Sequence, residues 1–95
     1  MSVKIIIKRY VPASQSQELA PLLRQLRTLA IRDPAYISGE TLKRVDGRGE
    51  YLVISTWQTL NDWEQWTNNS ERNVIQAEID TLLGEPTEYA VYQNA

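Results

Sequence analysis

All three tryptophans of this chain fall within one ten-residue stretch, at Trp57, Trp63 and Trp66. Indole rings this close in sequence can pack a core, form the wall of a ligand pocket, or offer flat faces on which an aromatic molecule stacks. Trp63 and Trp66 lie three residues apart on a predicted helix and share a face with Leu60, which favours packing. Trp57 ends a predicted strand. From residue type and spacing alone, a packed core, a pocket wall and a stacking surface all stay open for this stretch.

The residue types that are missing narrow the chemistry. The 95 residues include no cysteine and no histidine. Ser-His-Asp and Cys-His catalysis, disulfides, and zinc sites built on these ligands are therefore excluded. The sequence predicts no metal and no cofactor. A formal net charge of −2 without a basic block also argues against binding of nucleic acid.

Few side chains are candidates for acid–base work on a bound ligand. They are Tyr36, Glu40, Tyr51, Asp62, Glu64 and Lys8. Each is more typical of a solvated surface residue than of a catalytic group, so no catalytic residue is assigned.

The apolar segments predict neither a membrane span nor a secretory signal. No segment approaches the roughly 20 apolar residues that cross a bilayer. Lys4, Lys8 and Arg9 interrupt the only apolar run near the N-terminus, which differs from a signal peptide. We expect a cytoplasmic protein without a membrane partner, folded as one domain over residues 1–95.

The elements that must position these side chains begin with a strand over residues 3–11, which is short and β-branched. Its odd positions, from Val3 to Val11, form the drier face and should meet the helices, although Arg9 is among them. Apolar residues at helical intervals from Leu19 to Ala30 then predict a helix that ends before Pro34.

Two strands, a helical segment and a last strand are predicted in the rest of the chain. Strands are predicted over 35–45 and 50–58, joined by a hairpin at 46–49, which contains Asp46-Gly47. Thr59 resembles a helix N-cap, residues 68–70 interrupt the helical segment, and a second helix over 71–83 ends at Gly84. A last strand follows at 87–93. The order βαββαβ predicts an α+β, ferredoxin-like fold with a four-stranded antiparallel sheet and helices on one face.

Both faces of the predicted sheet carry apolar side chains. Tyr51, Val53 and Trp57 alternate with Leu52 and Ile54 along one strand. A sheet that is wet on one face should instead alternate between apolar and polar residues. We therefore expect a second copy of the chain to cover the open face, giving a homodimer.

With these elements placed, the chain resembles the antibiotic-biosynthesis monooxygenase family of dimeric α/β-barrel proteins, nearly end to end. The resemblance rests on residues 34–40 (PAYISGE), on Trp57 at the end of its strand, and on the stretch from Trp57 to Trp66 with the helix after it. It implies a pocket between sheet and helices, and Tyr36, Trp57, Trp66 and Gln76 as substrate-binding residues.

Two branches of that family imply definite chemistry. The haem-degrading branch has an iron-ligating histidine ten residues after a tryptophan and an asparagine on the first strand; the matching residues here are Gln76 and Ile7. Glutamine is a poor iron ligand and isoleucine cannot hydrogen-bond bound oxygen, which argues against haem cleavage. The cofactor-independent branch has an asparagine four residues before the tryptophan at Trp57, and this chain has Val53 there.

Two functions stay open at this point. The resemblance implies a cofactor-independent monooxygenase acting on a small aromatic substrate, a quinol or polycyclic phenol. The alternative is a non-catalytic dimeric module of the same fold that binds a ligand or a partner.

Overall fold

Four strands and three α-helices succeed one another along residues 1–47 and 49–95, the part of the chain that the structure, a computed structural model, describes. The strands are β1 (Val3–Tyr10), β2 (Tyr36–Lys43), β3 (Glu50–Trp57) and β4 (Glu88–Gln93), and the helices are α1 (Ser16–Ile31), α2 (Leu60–Thr67) and α3 (Ser70–Leu83). A 3₁₀ turn, Ala13–Gln15, leads into α1. The order confirms the predicted α+β ferredoxin-like fold.

The sheet has the strand order β2-β3-β1-β4, and every neighbouring pair is antiparallel. Its register places Ile5 of β1 opposite Ser55 of β3 and Val91 of β4. Since directly paired residues project to the same face, the register fixes which side chains face the helices. The pairing of β2 with β3 agrees with the predicted hairpin, although Arg48 of its turn lies outside the described residues.

The predicted alternation of β1 is confirmed. Val3, Ile5, Ile7 and Arg9 are buried on the face that meets the helices. Burial of the three aliphatic side chains supplies much of the local stability, at about 1.5–3 kcal/mol for each. Arg9 is the exception in chemical type, and it leads to the site described below.

Capping residues define where α2 and α3 begin and where α3 ends. The Thr59 side chain accepts a hydrogen bond from the Asp62 backbone N–H and caps α2, and Asn69 caps α3 by accepting from the N–H of Arg72. Gly84 ends α3 with φ 74°, a left-handed conformation in which a side chain would be strained. The short connection at Asn68-Asn69 therefore divides the second helical segment in two.

One residue of the predicted tryptophan face lies elsewhere. Trp63 and Trp66 are each 6% exposed, whereas Leu60 is 46% exposed. Three-residue steps along a helix each rotate by about 60°, so residues six apart differ by about 120°. Burying the face shared by Trp63 and Trp66 thus turns Leu60 towards solvent, and its predicted place in the stripe is wrong.

The second face of the sheet is apolar at its centre, and no helix in the described part of the chain covers it. Register and exposure place seven apolar or aromatic side chains there: Ile6, Tyr10, Leu42, Leu52, Ile54, Ala90 and Tyr92. Ile6 of β1 pairs with Ile54 of β3 and Ala90 of β4, which makes the patch continuous across three strands.

Candidate functional site

A cavity of about 90 Å³ lies between the helix-facing side of the sheet and helices α1 and α2. Its sheet side is formed by Ile7, Val53, Ser55 and Trp57. Its helix side includes Leu26 and Ala30 from α1 and Trp63 and Trp66 from α2. One water molecule needs about 10–15 Å³ of such space, so the cavity has room for more than a single water molecule.

An aromatic cluster forms one end of the cavity, with Trp57 at its centre. The Trp57 ring lies 5.4 Å from Tyr36, 5.9 Å from Trp63 and 5.4 Å from Trp66, measured between ring centroids. Tyr36 and Trp63 meet Trp57 edge to face, an arrangement that adds to the stability gained from burial. The rings therefore support one another and present a firm apolar wall.

Tyr36 owes its position to the glycine beside it. The pairing of β2 with β3 shifts register between Tyr36 and Ser38, and the Tyr36 side chain lies back over Gly39. A Cβ atom on Gly39 would lie 2.0 Å from the Tyr36 hydroxyl, so only glycine permits this placement. Burial raises the pKa of Tyr36, with a smaller opposing effect from Arg27. The hydroxyl is therefore a neutral hydrogen-bond donor at pH 7 and not a base.

Two uncharged polar atoms of the lining are also buried without a hydrogen-bond partner among the described residues. They are the hydroxyl oxygen of Ser55 and the indole nitrogen Nε1 of Trp57. Buried polar groups in proteins nearly always have a partner, and orphaned ones tend to mark functional sites. Both atoms therefore keep an unused hydrogen-bonding capacity at the wall of the cavity.

The far end of the cavity is charged. Arg9 lines it and is 5% exposed, and its Nη2 donates to Oε1 of Gln76 over 3.3 Å. The amide nitrogen of Gln76 in turn donates to Oδ1 of Asp80 over 2.9 Å and to the hydroxyl of Thr87 over 2.8 Å. Gln76 is thus fully engaged as a donor behind Arg9.

The mouth of the cavity lies between α1 and β2. Arg27 and Thr41 are both exposed lining residues, and Nη2 of Arg27 donates to the Thr41 hydroxyl over 2.9 Å. This single hydrogen bond joins the two elements across the opening.

The structure brings three of the four predicted site residues together. Tyr36, Trp57 and Trp66 line the same cavity, but Gln76 does not line it. Its amide faces Arg9, Asp80 and Thr87 instead, because Arg9 occupies the space between α3 and the cavity. Arg9 was not among the predicted site residues. The signal for it was a charged residue on the otherwise apolar odd face of β1.

Acid–base groups are scarce around the cavity. Of the acid–base candidates, Tyr36 alone belongs to the lining, and within the described ranges no aspartate or glutamate lines it. Nor do residues 1–47 and 49–95 contain a group of three or more histidine, cysteine, aspartate or glutamate side chains that could hold a metal ion. The arrangement can bind, orient and desolvate a flat molecule, and it can donate hydrogen bonds to oxygen atoms.

Several solved structures share this fold over nearly their whole length. A conserved protein from Methanosarcina mazei Go1 has a TM-score of 0.91 at 15% identity, covering 100% of this chain and 94% of its own. Rv0793 from Mycobacterium tuberculosis has a TM-score of 0.86 at 16% identity, with coverages of 100% and 96%. SnoaB, a cofactor-independent oxygenase from Streptomyces nogalater, has a TM-score of 0.81 at 13% identity, with coverages of 99% and 93%. At these identities the likeness shows the fold.

The comparison of this sequence with curated proteins found no match. In the described residues, no helix has both the length and the apolar character needed to cross a membrane.

The sequence model of the antibiotic biosynthesis monooxygenase family, however, matches residues 2–78. Because that match takes in most of the 95 residues, the chain belongs to the antibiotic biosynthesis monooxygenase family.

Proposed function

We propose that this protein is a cofactor-independent monooxygenase that oxidises a quinol or polycyclic phenol in the cavity between sheet and helices. The observation that carries the proposal is the cavity itself, with the aromatic cluster around Trp57 at one end and unpartnered polar atoms of Ser55 and Trp57 in its lining. Family membership and the likeness to SnoaB, a cofactor-independent oxygenase, support the reaction type.

The reaction requires an electron-rich substrate that is acidic enough to lose a proton. For the anthrone form of a polycyclic phenol, the substrate anion donates one electron to oxygen, and the resulting radical and superoxide combine into a carbon-bound peroxide anion. One proton from solvent converts this anion into a hydroperoxide. Loss of water then leaves a carbonyl group where the substrate had a CH₂ group. One oxygen atom enters the product, and the other leaves as water with the two hydrogens.

The residues of the cavity contribute desolvation, orientation and hydrogen bonds in this scheme. The aromatic walls exclude water from the anion, which strengthens every electrostatic contact within the site. The Ser55 hydroxyl, the Trp57 N–H and the neutral Tyr36 hydroxyl are donors for substrate oxygen atoms as negative charge moves onto them. Because no carboxylate of the described chain lines the cavity, the substrate proton passes to solvent at the mouth.

Oxygen consumption tests the proposal directly. Chelator-treated protein should consume one molecule of oxygen per molecule of an anthrone such as dithranol. Ala30→Leu should lower kcat/KM about tenfold or more, because the larger side chain enters the cavity and displaces the substrate. Ala77→Leu, on the exposed side of α3 and away from this cavity, is the matched control and should leave the rate unchanged.

The alternative function is a non-catalytic ligand-binding module, and one observation favours it. Val53, which lines the cavity, stands where the resemblance places the asparagine of the cofactor-independent branch. Binding of anthrones and naphthoquinols without oxygen uptake above that of buffer would support this module and contradict the oxygenase.

We also propose that the protein is a homodimer joined through the open sheet face. The apolar patch on that face is continuous across β3, β1 and β4, and a stable complex needs about 1,200–2,000 Å² of buried surface in total. Covering the patch with a second copy would complete the burial of Ile6, Leu52 and Ile54, which are only half-buried in the single chain. It would leave the cavity on the outer, helix-covered side of each sheet.

A further inference from the structure

Arg9 is a buried cation without a matching anion in the described chain. It is 5% exposed, and no carboxylate of residues 1–47 and 49–95 lies within 4 Å of its guanidinium, since both ion pairs found there involve Arg44. A charge taken out of water is costly unless it is paired, so buried arginines nearly always face an acid or an anionic ligand.

Asp80, an acid in the same region, is engaged elsewhere. Its Oδ1 accepts hydrogen bonds from the Gln76 amide at 2.9 Å and from the hydroxyl and the backbone N–H of Thr87 at 2.7 and 3.2 Å. Gln76 therefore stands between Asp80 and Arg9 and offers the guanidinium only an uncharged oxygen. That contact is long for a charge-assisted hydrogen bond.

Most of the hydrogen-bonding capacity of Arg9 remains unused. A guanidinium has five N–H donors, and in the described part of the chain the hydrogen bond to Gln76 is the one that engages them. The Nε atom is fully buried and has no protein partner there. Because Arg9 lines the cavity, a molecule bound there can meet the Nη donors that Gln76 leaves free.

The charged side chains that line the cavity are both positive. Arg27 lines the mouth, and the described lining contains no acid to oppose these two cations. Burial lowers the pKa of Arg9, and Arg72 adds to this effect, whereas Tyr89 and Asp80 oppose it. A bound anion would offset the cost of burial, and the guanidinium is still charged at pH 7 because its ordinary pKa is so high.

We propose that Arg9 is the anion-binding residue of this cavity and that it selects an aromatic ligand carrying a carboxylate. This inference rests on the proposed function only in taking the cavity as the binding site. The planar fork of a guanidinium matches a carboxylate in a bidentate fashion.

The shape of the site fits a ligand with two different ends. On the helix-facing side of the sheet, the pair Arg9–Tyr51 lies three two-residue steps from the pair Val3–Trp57, roughly 20 Å between backbones. The Arg9 side chain bridges part of that distance. An aromatic ring against Trp57 and Tyr36, with a carboxylate directed towards Arg9, therefore satisfies both ends of the cavity.

The test is calorimetric titration, under nitrogen, with 6-hydroxy-2-naphthoate and its uncharged near-isostere 6-hydroxy-2-naphthamide. Hydrogen bonds to a charged group correspond to about 10- to 100-fold in affinity, so the wild-type protein should prefer the carboxylate by at least about tenfold. Arg9→Met should reduce this preference to about one and leave the affinity for the amide nearly unchanged. Arg9→Lys, which keeps the charge without the fork, should retain part of the preference.

Arg72→Met is the matched control. Arg72 is also a buried arginine, but it is bonded to the Tyr89 hydroxyl at 2.7 Å and to Asn73 at 2.9 Å and does not line the cavity. Its substitution should leave the carboxylate preference intact. If the preference is lost equally in Arg72→Met and Arg9→Met, Arg9 is not the anion-binding residue.

The ratio of the two affinities of the wild-type protein, for the carboxylate and for the amide, can overturn the inference even if the Arg9 variants fail to fold. Equal affinity for the carboxylate and the amide would do so. The inference would also be overturned if 2,4-dinitro-1-naphtholate, a phenolate that is ionised at neutral pH, bound with Arg9 dependence while the carboxylate showed none. Oxygen uptake with dithranol is measured separately, so a failure of the oxygenase proposal leaves this result standing, and the reverse also holds.

Discussion

Gly39 and Tyr36 form the most restrictive pair of residues in the cavity. Gly39→Ala would place a Cβ atom 2.0 Å from the Tyr36 hydroxyl and 3.2 Å from the ring carbon that bears it. We expect the substitution to cost about 0.5–1.5 kcal/mol of stability, because the tyrosine ring must leave its place beside Trp57 and the aromatic pair is lost. Urea unfolding followed by circular dichroism measures the loss.

The matched control for this prediction is Tyr36→Phe in the Gly39→Ala background. Removing the hydroxyl removes the closest of the contacts, so the double variant should recover part of the lost stability. A double-mutant cycle between contacting residues gives coupling energies of about 0.5–3 kcal/mol. Strictly additive effects of the two substitutions would show that the hydroxyl is not held against Gly39.

At the same scale, sequence alone could indicate Arg9 but not its partners. The alternation of β1 placed Arg9 on the buried face. What the guanidinium meets there depends on Gln76, 67 residues away, and on how α3 lies over the sheet. The resemblance implies that Gln76 lines the pocket, but Arg9 stands between α3 and the cavity. Residue type and spacing cannot supply such a tertiary relationship.

Among the elements, α2 has the greatest influence on the site relative to its length. It has eight residues, supplies Trp63 and Trp66 to the cavity, and begins at the Thr59 cap. Thr59→Ala removes the acceptor for the Asp62 N–H, so it should cost about 1 kcal/mol and should also weaken ligand binding. Thr59→Ser keeps the hydroxyl and should retain most of both.

A parallel substitution at the next helix separates stability from binding. Asn69→Ala removes the cap of α3, where Asn69 accepts from the Arg72 N–H at 2.9 Å. It should cost a similar amount of stability, about 1 kcal/mol, but leave cavity affinity nearly unchanged, because α3 contributes no lining residue. Equal loss of binding in Thr59→Ala and Asn69→Ala would contradict the role given to α2.

Elements were more predictable than residues because local chemistry determines their ends. Thr59 and Gly84 cap helices as their positions in the sequence indicated, and both hydrogen-bonding and backbone conformation confirm them. Leu60 was misplaced because an eight-residue helix gives too few turns to define the centre of its buried face. The direction of that face was settled by packing against β3.

The whole molecule is expected to pair through the open sheet face. Ile54→Lys introduces a charge at the centre of the apolar patch, opposite Ile6, and should shift the protein to a monomer at concentrations at which the wild type is dimeric. Val74→Lys, at a position of α3 that is 61% exposed, is the control and should leave the dimer intact. Sedimentation equilibrium distinguishes the two. Wild-type protein that is monomeric at micromolar concentration would contradict the dimer.

The cavity was the feature that sequence analysis could place but not establish. Apolar alternation predicted which face of β1 would meet the helices, and resemblance implied a pocket between sheet and helices. Whether side chains fill that space depends on their volumes and angles, such as the 34° between the planes of Trp57 and Trp66. Small residues at Ala30, Gly39 and Ser55 leave the space open.

The clustering of every tryptophan around one cavity has an optical consequence. With ring centroids 5.4 to 5.9 Å apart, Trp57 exchanges excitation with Trp63 and with Trp66, so the intrinsic emission of the protein arises from a single place. A quencher or a bound ring that reaches any one indole therefore dims all three. Emission recorded during unfolding therefore reports the opening of this cavity.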